Sequence, residues 1–109
     1  MAIYINIYYT GQNGSARQFA QEMLESGIVD TIRSKSGNLG YQYFSSIENP
    51  ETILLVDAWE NQQALDIHHQ SETMQQIINL RDKYDVKMVV ERFVRDNQTD
   101  YADRQFIRE

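Results

Sequence analysis

Residues 39–59, LGYQYFSSIENPETILLVDAW, place two β-prone runs on either side of Glu48-Asn49-Pro50-Glu51. Pro50 presets the φ angle of a turn and cannot sit in a central strand, so 39–47 and 52–59 are expected to pair as a β-hairpin. Downstream, Asn61 is placed to cap a short helix carrying Ala64, Leu65 and His68. Ser71 offers a second cap, after which Met74, Ile77, Ile78 and Arg81 recur at helical spacing. Residues 84–95, YDVKMVVERFVR, then alternate as a long strand, with Val86, Met88 and Val90 on one face and Lys87, Val89 and Glu91 on the other. Upstream, residues 3–10 (IYINIYYT) are β-branched and aromatic and run into the turn TGQNG. Ser15 and Gln18 have the spacing of a capping box, and Phe19, Ala20, Met23, Leu24 and Ile28 follow as one apolar helix face. Gly27 weakens that helix by about 1 kcal/mol, but the pattern continues, so it is expected to reach about Ser34.

The resulting order, β-α-β-β-α-β, defines an α+β, ferredoxin-like antiparallel sheet with helices on one face. The second sheet face still carries Tyr, Phe, Leu and Val, which argues for burial against another copy of the chain as a homodimer. Residues 1–95 form the expected domain. Residues 96–109 read either as a frayed terminus or, preferably, as an arm anchoring Tyr101, Phe106 and Ile107 on the partner subunit.

Composition narrows the function classes. The chain has 109 residues, one domain's worth, and a formal charge of −6, which opposes attraction to nucleic acid or an anionic membrane surface. With no cysteine there is no disulfide scaffold, thiolate metal site or cysteine nucleophile. No apolar run approaches the roughly 18 residues of a membrane helix, and Met1–Thr10 does not read as a signal peptide, so a cytoplasmic protein is expected.

Few constellations could carry chemistry. There is no Gly-x-Ser-x-Gly elbow, and Gly11-x-x-Gly14 lacks both the dinucleotide fingerprint and a P-loop lysine. His68 or His69 could share a helix face with Glu72, but two ligands do not hold a metal, and the two imidazoles point about 100° apart. No metal and no cofactor are expected. The aromatic residues are the remaining feature, since many of them fall on predicted strands. They could simply build the core, or Tyr9, Tyr41, Tyr43 and Tyr84, with Met88, could line a pocket for a planar organic ligand.

Residues 37–74 carry a Gly-x-x-Gly-Tyr strand entry, a strand ending in Trp59-Glu60, then Ala64-Leu65, and His68 nine residues after the tryptophan. With the YTGQNGSARQF entry into the first helix and the VVERF strand, this pattern resembles the antibiotic biosynthesis monooxygenase superfamily over residues 3–95. The resemblance implies a dimeric α/β barrel with a pocket in each protomer. In the quinone-forming members a phenol or hydroquinone anion itself reduces O₂, and neither metal nor flavin is needed. The implied site residues are Trp59 as wall and N–H donor, His68 as base or oxyanion partner, and Asn6 as polar anchor. A register shift of one residue would put Ile7 at the pocket and turn Asn6 away. The Ser-Pro-His of many relatives is Ser71-Glu72-Thr73 here, and the axial histidine position of the haem-degrading branch holds Ile78, which cannot ligate iron. The reading is a monooxygenase of a small electron-rich aromatic substrate and O₂. A non-catalytic small-molecule binder and an isomerase of a small hydroxy-ketone or lactone remain as alternatives.

Overall fold

A computed structural model describes residues 1–96 and 101–108. Four antiparallel strands form one sheet: β1 (Ile3–Thr10), β2 (Asn38–Ser45), β3 (Thr52–Trp59) and β4 (Lys87–Val94). They lie in the order β2-β3-β1-β4, so the predicted hairpin is one half of the sheet and the two terminal strands are the other. The hairpin turn closes through Thr52 N–H donating to the Asn49 carbonyl at 3.1 Å, with Pro50 at the position its fixed φ suits.

The helical layer is more divided than the sequence pattern suggests. The first predicted helix is two helices, α1 (Ser15–Glu25) and α2 (Ile28–Arg33), because Gly27 takes a φ of 87° and ends the first helix instead of being carried through it. The Ser15–Gln18 capping box does not form. Ser15 is already helical, its Oγ accepts from Gln12 N–H, and Glu51 of the hairpin turn takes the N–H groups of Asn13 (2.6 Å) and Gly14 (2.9 Å). Then come α3 (Gln62–His69) and α4 (Glu72–Tyr84). The Asn61 cap forms as expected, its Oδ1 accepting from Ala64 N–H at 2.9 Å, a contact of about 1 kcal/mol. Gly37 (φ 85°) lets this helix approach, since a Cβ there would stand 2.6 Å from the Ala64 Cβ. Tyr84 ends α4 instead of opening the last strand. A short helix, α5 (Tyr101–Arg104), lies in the tail, where Phe106 and Ile107 are exposed. The expected seating of the Tyr101 side chain lies outside the described residues.

All four main helices cover one sheet face. Alternation turns Ile3, Ile5, Ile7 and Tyr9 of β1 and Ile53, Leu55, Asp57 and Trp59 of β3 toward them, where they pack with Phe19, Met23, Ile32, Leu65 and Ile77. The opposite face carries three cross-strand rows: Phe44-Leu54-Tyr8-Val89, Gln42-Val56-Asn6-Glu91 and Gly40-Ala58-Tyr4-Phe93. Two of the rows are apolar or aromatic. β4 is an edge strand exposed at all eight residues. Among the described residues no helix is long and apolar enough to cross a membrane.

Candidate functional site

A cavity of about 180 Å³ lies between the β3-β1-β4 part of the sheet and helices α3 and α4. Its apolar walls are Ile5, Ile7, Met74, Ile77, Met88 and Val90, and its polar groups are Tyr41, Asp57, His68, His69 and Arg81. This composition, mostly apolar with a few convergent polar groups, suits a small organic ligand.

Asp57 is the least expected member. Strand alternation places it inward between Leu55 and Trp59, and it is only 5% exposed. The Trp59 indole Nε1–H donates to its Oδ1 at 2.8 Å, the one hydrogen bond this carboxylate makes among the described residues. Burial pushes its pKa from 3.8 up to about 7, against the opposing pull of the Trp59 hydrogen bond and the Arg81 charge. Such a carboxyl can hold or release a proton near neutrality, which is what general acid–base work requires.

Arg81 supplies the cation. It reaches inward from α4, donating from Nη2 (2.9 Å) and Nε (3.2 Å) to the Tyr9 hydroxyl, with its guanidinium 5.6 Å from the Tyr9 ring centre. Those two bonds leave further guanidinium N–H donors for a ligand oxygen. Tyr9 is fully buried, and burial raises its pKa, so the phenol stays neutral and serves as a fixed acceptor for Arg81.

His68 is also buried, at 3% exposure, and its ring stacks on Trp59 with centroids 4.9 Å apart and planes 22° apart. Burial first, then the neighbouring charges of Lys35, His69 and Arg81, push its pKa down from 6.5 to about 4. The imidazole is therefore neutral at pH 7, and its Nδ1 lies 3.0 Å from the Lys35 ammonium. His69 is more exposed, yet its ring centre is 5.8 Å from that of His68 and it borders the same cavity. The 100° separation on the helix does not take it out of the site.

The residues singled out from sequence divide clearly. His68, Tyr41 and Met88 line the cavity, and Trp59 braces His68 and Asp57 from behind. Tyr9 anchors Arg81. Tyr43 packs edge-on to Tyr41, and burial holds both phenols well above their ordinary pKa. Asn6 faces the other side of the sheet, in a row with Val56 and Glu91, and Ile5 and Ile7 take the pocket side of β1. Tyr84 points away as well, donating to Glu22 at 2.5 Å on the outer helix surface. Asp57, Arg81 and Lys35 were not among the sequence candidates. Asp57 was signalled by its inward place in an apolar alternation, and Arg81 by its place four residues after Ile77 on an otherwise apolar stripe.

Fold and cavity together define a ferredoxin-like α+β protein with a small, partly polar interior site. The sequence profile of the antibiotic biosynthesis monooxygenase family matches residues 2–80, and the chain belongs to that family. No curated protein sequence matches it significantly. Similar solved structures include a candidate antibiotic biosynthesis monooxygenase from Deinococcus radiodurans, with a TM-score of 0.76 and 18% identity over 92% of this chain and 97% of that one. A second from Caulobacter crescentus CB15 has a TM-score of 0.74 and 16% identity, covering 84% and 87% of the two chains. A conserved protein from Methanosarcina mazei Go1 has a TM-score of 0.75 and 18% identity, covering 88% and 94%.

Proposed function

We propose that this protein is a monooxygenase that oxidises a small electron-rich phenol or hydroquinone with O₂ and draws on no metal or flavin. The observation that carries the proposal is the pairing of Asp57, whose pKa is about 7, with the Arg81 guanidinium in one largely apolar cavity. Ionised Asp57 takes the phenolic proton. Arg81 and a ring N–H of His68 hold the resulting phenolate oxygen, and the apolar walls keep water from competing for it. The phenolate passes electrons to O₂, a C–O bond forms at a hydrogen-bearing ring carbon ortho or para to the oxygen, and a hydroperoxide results. Cleavage of the O–O bond, with loss of the ring hydrogen, releases water and leaves a quinone. One phenol and one O₂ thus become one quinone and one H₂O.

The active unit proposed is a homodimer. The apolar rows on the uncovered sheet face and the fully exposed β4 support this reading, because a monomer would leave both in water. The arm at 96–109 is proposed to pack on the partner.

Oxygen uptake under ¹⁸O₂ with a panel of phenols and hydroquinones is the test. One labelled oxygen in the quinone per O₂ consumed is expected. Stoichiometric H₂O₂ with no label in the product would refute monooxygenation. Binding without uptake would favour a non-catalytic binder, and proton exchange on a hydroxy-ketone without uptake would favour an isomerase.

A further inference from the structure

A second, larger depression of about 410 Å³ opens on the outer side of α3, lined by Lys35, Ser36, Glu60, Asn61, Ile67 and Ser71 among others. His68 is the one residue that borders both this depression and the inner cavity. One edge of its ring is held by a directed hydrogen-bond chain from the residues of the outer depression. The Lys35 ammonium has only donors. It lies 2.8 Å from Ser71 Oγ and 3.0 Å from His68 Nδ1, and Ser71 Oγ in turn donates to the His68 carbonyl at 2.6 Å. With the serine proton committed to that carbonyl and the lysine able only to donate, Nδ1 must accept. The ring proton is left on Nε2, which has no hydrogen-bond partner among the described residues.

We infer that Lys35 is a positioning residue of the site: it fixes His68 in the Nε2–H tautomer, so that the imidazole presents a hydrogen-bond donor to the inner cavity and not a basic lone pair. This rests on the proposed function for its purpose but not for its test. It divides the chemistry of the cavity. A histidine held this way cannot take a substrate proton at Nε2, so the proton acceptor is Asp57, and His68 joins Arg81 in holding developing negative charge. It also explains why Ser71, at the N-cap position of α4, makes no capping bond, since its hydroxyl is spent in the chain that anchors Lys35. The other charged or titratable groups around the ring are His69 on α3, Arg81 on α4 and Asp57 on β3, with Glu60 in the outer depression. Among these, only Lys35 contacts a nitrogen of His68.

The test reads the tautomer directly in the free protein. Only two histidines are present, so a His69→Ala background leaves a single imidazole spin system. Long-range ¹H–¹⁵N correlation at pH 7 should show Nδ1 as the unprotonated nitrogen. Lys35→Met in the same background should shift the Nδ1–H to Nε2–H ratio by about tenfold or more, the scale of losing a charge-assisted hydrogen bond. It should also raise the pH at which the ring titrates. Lys35→Arg, which keeps both charge and donor, should restore the Nε2–H form. An unchanged tautomer and titration in Lys35→Met, with thermal unfolding showing the fold intact, would overturn the inference. So would Nδ1–H as the dominant form in the Lys35-containing protein. Neither outcome depends on turnover, so a failure of the monooxygenase reading would appear separately, as absent oxygen uptake.

Discussion

Replacing Asp57 by Asn should change how stability depends on pH, with a sign the structure dictates. In the folded chain burial pushes the Asp57 carboxyl from 3.8 up to about 7, whereas unfolding returns it to the ordinary range. Between those pH values the folded state keeps a proton that the unfolded state has released, so stability falls as pH rises. At 1.36 kcal/mol per pH unit, the cost reaches ~4 kcal/mol above pH 7. His68 works in the opposite direction. Its folded pKa of about 4 lies below the ordinary 6.5, so across that interval the unfolded state binds the extra proton. Stability therefore rises with pH from 4 to 6.5, and ~3 kcal/mol is lost on acidification through the same window. The two buried groups thus offset each other between pH 4 and 6.5. Asp57→Asn removes one side of the balance while keeping an Oδ1 to accept from the Trp59 indole.

Urea unfolding at fixed protein concentration, at pH 4, 5, 6, 7 and 8, is the assay. At pH 4 the variant should match the parent within about 1 kcal/mol, because protonated Asp and Asn are then close equivalents. By pH 8 the variant should be the more stable by ~4 kcal/mol, the full cost of the buried carboxylate. His68→Gln should show the mirror image, with a gain at pH 4 that fades by pH 7. A pH-independent difference between Asp57→Asn and the parent would mean that this carboxyl titrates normally. That result would refute both its burial energetics and its candidacy as the proton acceptor.

Two further outcomes are expected. Light scattering at micromolar concentration should give about twice the chain mass of 12.8 kDa, and a clean monomer would remove the proposed dimer and the role of the tail. Elemental analysis of dialysed protein should find no stoichiometric iron, copper or zinc. Among the described residues no three His, Cys, Asp or Glu side chains converge as ligands, and one retained ion per chain would overturn the metal-free proposal.

The fold was legible because its signals are local and redundant. Pro50 fixed the hairpin, β3 matches its expected bounds of 52–59, and the cap at Asn61 formed from a side chain and a backbone three residues away. What misled was also local. The capping-box spacing of Ser15 and Gln18 gave no hint that Glu51, far along the chain, would fold back and take the amides at the start of α1. The apolar repeat across Gly27 likewise fitted one helix as well as two. Glycine's access to positive φ decided the matter once α1 and α2 each had a surface to pack on.

The site was less legible because its chemistry belongs to no single segment. Asp57 is an ordinary acid in the sequence. It becomes a group that titrates near neutrality only when β1 lies alongside it, α3 and α4 cover it, and Arg81 and Trp59 limit how far its pKa climbs. His68 entered as the base or oxyanion partner that the family resemblance implies, and the same burial takes its pKa from the ordinary 6.5 to about 4, too low for a base at neutral pH. One act of desolvation moves the carboxyl up and the imidazole down, because in each case it disfavours the charged form. An ordinary pKa of 6.5 would favour histidine as a proton acceptor at neutral pH, but in the folded environment the group that titrates near neutrality is the aspartate. An inward-facing Asp on an alternating strand, opposite an Arg on the apolar stripe of a covering helix, is the pattern that sequence reading could have used.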